Sequence, residues 1–113
     1  MTQISTHVLD LTLGAPAAGV NVELLAATED GEWVSLGSAA SDEDGRAIGL
    51  AGSGGAVPGL HKLVFAAGEY QRRFVETDPF LDEVAVSFNV ADEERLHIPL
   101  LLNAYGISIY RGS

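Results

Sequence analysis

The chain has no cysteine. No disulfide can brace it, and no cysteine-ligated metal site can form. Positive charge is nearly as scarce: six Lys and Arg stand against sixteen Asp and Glu, a formal net charge of -10. A nucleic-acid surface needs a basic footprint that this composition does not supply. No apolar run reaches the length of a bilayer span. The opening MTQISTHVLD has neither a charged n-region nor an apolar h-region, so no secretory leader and no membrane partner is expected, and the expected compartment is the cytoplasm. What the chain does carry is apolar side chain, 47% of 113 residues. That suffices for one core and one domain over residues 1–113, and is too little for two. Against so few cations, each arginine near a possible site is informative.

The dominant period is two. In EVAVSFNV, Val84, Val86, Phe88 and Val90 share one face, while Glu83, Ala85, Ser87 and Asn89 share the other, as in a half-buried strand. NVELLAAT places Val22, Leu24 and Ala26 together, and EWVSLGSA and LHKLVFAA read as further strands. Turn signals fall between them at Gly14–Pro16, Asp30-Gly31, Asp44-Gly45, Pro58-Gly59 and Asp78-Pro79. Short strands at regular spacing predict an all-β sandwich or barrel. GEYQRRFVE, 68–76, is the one stretch that reads as a short helix.

The outer faces of three strands are unusual. Leu96, Ile98, Leu100 and Leu102 read as core, which leaves His97, Pro99, Leu101 and Asn103 opposite. Val8 with Thr6 reads as core, leaving His7 and Leu9 outside. Ile107 and Ile109 read as core, leaving Ser108 and Tyr110 outside. A solvated face would carry more Lys, Glu and Thr. An apolar face with a few polar groups suggests a covered surface, such as a subunit interface enclosing a pocket.

Other motifs carry less. AGSGGAVPG, 51–59, lacks the Lys and Ser/Thr of a phosphate-cradling loop and reads as a flexible surface loop. SDEDG lacks the full calcium-loop pattern and reads as a solvated turn. His7 and His97 could share a metal, but no third ligand has suitable spacing. His61, beside Lys62, reads as a surface residue.

STHVLDLTLGAPAAGV near the start, DEDGR in the middle and HIPLLLNAYGISIYRGS at the end together resemble the transthyretin-related family of 5-hydroxyisourate hydrolases. The resemblance spans essentially the whole chain in order, and its most specific mark is the final Tyr-Arg-Gly-Ser. It implies a sandwich of two four-stranded sheets with one short helix, assembled as a homotetramer with active sites where dimers meet. Carried over by position, it marks His7, Arg46 and His97 as catalytic and Ser108, Tyr110, Arg111, Gly112 and Ser113 as substrate-binding. It implies no metal and no cofactor. The chain departs from the family pattern in Arg95-Leu96-His97, where many relatives carry two histidines. It departs again in Asn103-Ala104 before Tyr105, in Ile109, and in a longer Gly-rich loop.

The activity implied is hydrolysis of 5-hydroxyisourate to 2-oxo-4-hydroxy-4-carboxy-5-ureidoimidazoline, in urate breakdown. Two histidines would deprotonate a water and return a proton to the leaving nitrogen. Arg46 would stabilise the oxyanion, and Arg111 with the chain-end groups would orient the heterocycle. Two competing readings are a transthyretin-like carrier without turnover and a generic β-sandwich interaction domain.

Overall fold

A computed structural model describes every residue from Met1 to Ser113. The strands are β1 (Gln3–Asp10), β2 (Ala15–Pro16), β3 (Asn21–Ala27), β4 (Trp33–Ala40), β5 (Arg46–Ala47), β6 (Gly59–Phe65), β7 (Val84–Val90), β8 (Arg95–Leu102) and β9 (Ile107–Ile109), with one helix, α1 (Ala67–Gln71). One sheet runs β2-β1-β8-β9, with β5 also paired to β1, and the other runs β4-β3-β6-β7. This is the all-β sandwich with a short helix that the periodicity and the resemblance predict; the two-residue β5 is the addition to the four-stranded count.

The alternation explains which faces meet. On β1 the even positions Ile4, Thr6 and Val8 are fully buried, while Ser5, His7 and Leu9 are half-buried on the other side. Leu96, Ile98, Leu100 and Leu102 of β8 join them from one sheet; Val22, Leu24, Leu63, Phe65, Val84 and Val90 close the core from the other. Thr6 is tolerated inside because its hydroxyl donates to the Ile98 carbonyl at 2.5 Å. Ser41 is buried on the same terms, donating to Ala17 O at 2.7 Å and accepting from Val20 N at 2.9 Å.

Four expectations change. His61 is not on the surface: it is 1% exposed, on the inner parity of β6 with Leu63 and Phe65. Ile107 is not core, being 41% exposed on a three-residue edge strand, whereas Ile109 does pack against the core. The helix is shorter than 68–76, ending at Gln71. Beyond it Arg72 turns to Asp78 and Asp82, and Arg73 donates to the carbonyls of Ala18 and Gly19, so both side chains serve the loop. The Gly-rich loop is tied down rather than free. Ala56 is buried and exchanges both backbone hydrogen bonds with Thr2, whose hydroxyl in turn reaches Glu93 O at 2.5 Å.

A five-residue helix does not stand by propensity alone. Here Tyr70 anchors it, donating its hydroxyl to Asp10 Oδ2 at 2.7 Å. The other carboxylate oxygen of Asp10 accepts from the N–H groups of Thr12 and Leu13 at 2.9 and 3.1 Å. Burial, then the Asp10 hydrogen bond and charge, push the Tyr70 phenol well up, so it stays protonated and keeps donating.

Candidate active site

β1 and β8 run parallel in unbroken register, with Ser5 opposite His97 and His7 opposite Pro99. All four lie on the outer parity, so His7 and His97 project from one face, two positions apart along adjacent strands. β5 pairs antiparallel with β1 and sets Arg46 opposite His7. Three of the expected residues thus meet on one patch, brought from three separate parts of the chain.

The DEDGR turn aims this patch. Asp42 accepts at Oδ1 from the N–H groups of Asp44 and Arg46, both at 2.9 Å, and its carbonyl accepts from Gly45 N at 2.9 Å. The acidic run is therefore a self-bonded turn, with Asp42 as its hub. Gly45 adopts φ +79°, and a Cβ there would meet Val8 O at 2.3 Å. Only glycine lets the turn lie this close to β1. The result is that the Asp44 carbonyl reaches His7, whose Nε2 donates to it at 2.7 Å. A carbonyl only accepts, so neutral His7 carries its proton on Nε2 and is bare at Nδ1.

His97 is held at both edges. Its Nδ1 lies 2.9 Å from Ser5 Oγ, while Nε2 has no hydrogen-bond partner in the chain and is not a buried atom. Over its Cδ2 edge passes Gly112, whose N–H donates to the His97 carbonyl at 2.7 Å; an added Cβ would stand 2.8 Å from Cδ2. Burial, then the charge of Arg46, then that of His7 hold the His97 imidazolium below its ordinary pKa. The neutral base is favoured, as desolvation and neighbouring positive charge require.

The last residues continue the β8–β9 ladder. Tyr110 N donates to Pro99 O at 3.4 Å and Gly112 N to His97 O, so the segment runs along β8 beside the histidines. Ser108 lies opposite Leu101, on the outer parity. Arg111 does not join His7 and His97. It falls on the parity of Ile109 and makes an ion pair with Glu93. With Tyr110 it lines a cavity of about 240 Å³ between the sheet edges, bounded by Phe88, Leu96 and Ile98. Ser113 is exposed beyond Gly112. The sequence reading passed over Ser5, which strand parity alone places with His7, and over the Asp44 carbonyl, which no side-chain motif reveals. None of three cavities of about 390, 410 and 240 Å³ includes His7, Arg46 or His97. In the single chain Arg46 is exposed and His7 and His97 are half-buried, so the patch faces outward.

Comparison with known proteins agrees in sequence and in fold. The model of the HIUase/Transthyretin family matches residues 4–112. The 5-hydroxyisourate hydrolase of Caulobacter vibrioides is 42% identical over 118 residues, covering all of both chains. That of Salmonella dublin is 39% identical over 111 residues, covering 97% of this chain and 80% of its own. Among solved structures, Klebsiella pneumoniae 5-hydroxyisourate hydrolase superposes with a TM-score of 0.84 at 29% identity, covering all of both chains. Sparus aurata transthyretin superposes with a TM-score of 0.89 at 22% identity over 96% of this chain and 95% of its own, a likeness of fold.

Proposed function

The chain belongs to the HIUase/Transthyretin family, and from its near-full-length similarity to 5-hydroxyisourate hydrolases we infer that it is a hydrolase of 5-hydroxyisourate. The single observation that carries the chemistry is the patch itself. Two histidines and one of only six cationic side chains converge on one sheet face, where burial and then the charges of Arg46 and His7 lower the proton affinity of His97.

In the mechanism this supports, a water oxygen attacks a ring carbonyl carbon while its proton passes to an imidazole. Arg46 receives the charge that grows on the carbonyl oxygen, a task suited to a fixed guanidinium in a shielded site. The carbon–nitrogen bond then breaks, and the ring nitrogen takes the proton. The ring opens toward 2-oxo-4-hydroxy-4-carboxy-5-ureidoimidazoline. Gly112 supports the site by closing one edge of His97 with backbone. Ser108, Tyr110 and Ser113 would meet substrate from the same strand end, and Arg111 would do so only by leaving Glu93.

Shielding requires a cover. We assign that role to further copies of the chain in a homotetramer. The reading is favoured by the open histidine face, by the unpaired outer edges of β7 and β9, and by the apolar cavity between them. Sedimentation should then report about four times the 11.8 kDa chain mass; an active monomer would refute it. The activity is tested by adding freshly made 5-hydroxyisourate and following the loss of its ultraviolet band against the spontaneous rate. Loss at the spontaneous rate would leave a transthyretin-like carrier as the surviving reading.

A further inference from the structure

We propose that Ser5 is a positioning residue for His97: its hydroxyl accepts the Nδ1–H of the imidazole and turns a bare Nε2 toward the open face as the acceptor of a water proton. The kinetic part of this proposal rests on the hydrolase reading; the tautomer does not.

Register brings the pair together. Ser5 stands directly opposite His97 in the parallel ladder, and Oγ to Nδ1 is 2.9 Å. The Ser5 hydroxyl has no other partner in the chain, so this contact is its one role. The Cδ2 edge of the ring lies under Gly112. A ring bonded at Nδ1 and covered at Cδ2 cannot flip without losing the bond, so Nε2 is the nitrogen presented outward.

Two proton arrangements satisfy a hydroxyl–imidazole pair. If the hydroxyl donates to Nδ1, the neutral ring is protonated at Nε2 and offers the water no lone pair. If Nδ1–H donates to the hydroxyl, Nε2 is bare. Only the second lets one nitrogen take the proton from water and return it to the leaving nitrogen, because the imidazolium formed between those steps keeps its Nδ1–H on Ser5 throughout. A partner on the far nitrogen commonly fixes both tautomer and ring orientation in this way. The Asp44 carbonyl imposes the mirror arrangement on His7, with the proton on Nε2 and the lone pair on Nδ1. In their neutral forms the two histidines therefore carry their lone pairs on opposite nitrogens.

The charged groups around His97 come from every neighbouring element. Arg46 faces it from β5 and His7 from β1, and both lower its proton affinity behind burial. Arg95 shares its strand and face but pairs with Glu94 at 3.7 Å. From the last strand, Arg111 is turned to Glu93, and Tyr110, whose N–H bonds Pro99 O, completes the set.

The test begins without substrate. Nitrogen-15 spectra of the histidine rings, recorded above the titration of His97, should show it as the Nδ1–H tautomer; an Nε2–H tautomer overturns the proposal. Ser5→Ala removes the acceptor that favours the imidazolium. The titration of His97 should move to lower pH, and the acid limb of kcat/KM should follow it. Activity should fall about 10- to 100-fold, the usual scale for a lost supporting partner, in kcat rather than KM. Ser5→Thr, which restores the hydroxyl, should recover most of both. A titration that rises or stays put in Ser5→Ala overturns the proposal, since a donating hydroxyl would have favoured the neutral ring. If 5-hydroxyisourate is not turned over at all, the hydrolase reading fails, while the ring spectra and titration still decide the role of Ser5.

Discussion

His97 and His61 are the same side chain in opposite settings, one in each sheet. His97 is half-buried on an outer face, gripped by a side chain at Nδ1, and without a partner at Nε2, with Arg46 and His7 nearby. His61 is sealed on the inner face of β6, bonded only to the Gly59 carbonyl two residues away at 2.9 Å, and stacked on Phe88. Its Nε2 is buried with no partner. Neither burial nor an unpaired nitrogen makes a histidine chemical. What distinguishes His97 is an outward-facing nitrogen, a neighbouring cation, and a second imidazole within electrostatic reach.

The sharpest way to break this contrast is to remove the rings of the patch. His97→Asn or His7→Asn should lower the catalysed rate by roughly 10²–10⁴-fold, the scale of a lost acid–base group, with Tm changed little because both rings lie outside the core. Wild-type turnover in both variants would erase the distinction. A smaller change tests the covering backbone. In Gly112→Ala the new Cβ would press on His97 Cδ2 at 2.8 Å and on Pro99 Cδ at 3.2 Å. A ring displaced by a fraction of an ångström should cost up to about 100-fold in kcat, with the sandwich intact by circular dichroism.

Arg46→Gln sharpens the electrostatic side. The charge of Arg46 helps hold His97 below its ordinary pKa, so its removal should raise the titration of His97, read by ring nitrogen shifts, and lower turnover. The sign for stability follows. A histidine whose folded pKa is depressed costs the native state nothing above the unfolded pKa of about 6.5. As pH falls through that value toward the folded pKa, the unfolded chain binds more protons and stability declines. Arg46→Gln should shrink the His97 share of that decline. In Tyr70→Phe, Asp10 loses one of three donors in a buried place. A loss of about 1.5–3 kcal/mol is expected for a hydrogen bond to a charged group, with turnover kept within about twofold.

Most of the sandwich was legible because alternation records which side of a strand is wet. Val84 to Val90 and Leu96 to Leu102 fall on the faces their pattern assigns. The same parity put His7 and His97 on one outer face, and the family resemblance added Arg46. What escaped was decided by contacts that no local pattern encodes. β5 has two residues, too short for any period, and exists because Asp42 folds the turn back onto β1. Ile107 is apolar yet exposed because an edge strand of three residues has nothing beyond it. The orientation of Arg111 depends on Glu93, eighteen positions away. His61 was misread through its neighbour, since Lys62 does point out, over Trp33.

That misreading leads to the smallest expected effect. His61→Leu replaces a buried ring by an apolar side chain of similar volume. It removes an unpartnered polar atom, which burial penalises, and forfeits the Nδ1 hydrogen bond and the stacking on Phe88, whose ring centroid is 6.2 Å away. Each of these is worth about 1 kcal/mol, and they oppose one another. The net change in stability should therefore stay within about 1 kcal/mol, which for a domain of this size moves Tm by about 4–8 °C at most. Turnover should stay within about twofold, because β6 lies in the sheet that carries none of the patch. Thermal unfolding and the ultraviolet assay on one preparation measure both. A rate loss approaching that of His97→Asn, at unchanged Tm, would mean that the sealed histidine communicates with the open one, and the division between the two sheets would have to be abandoned.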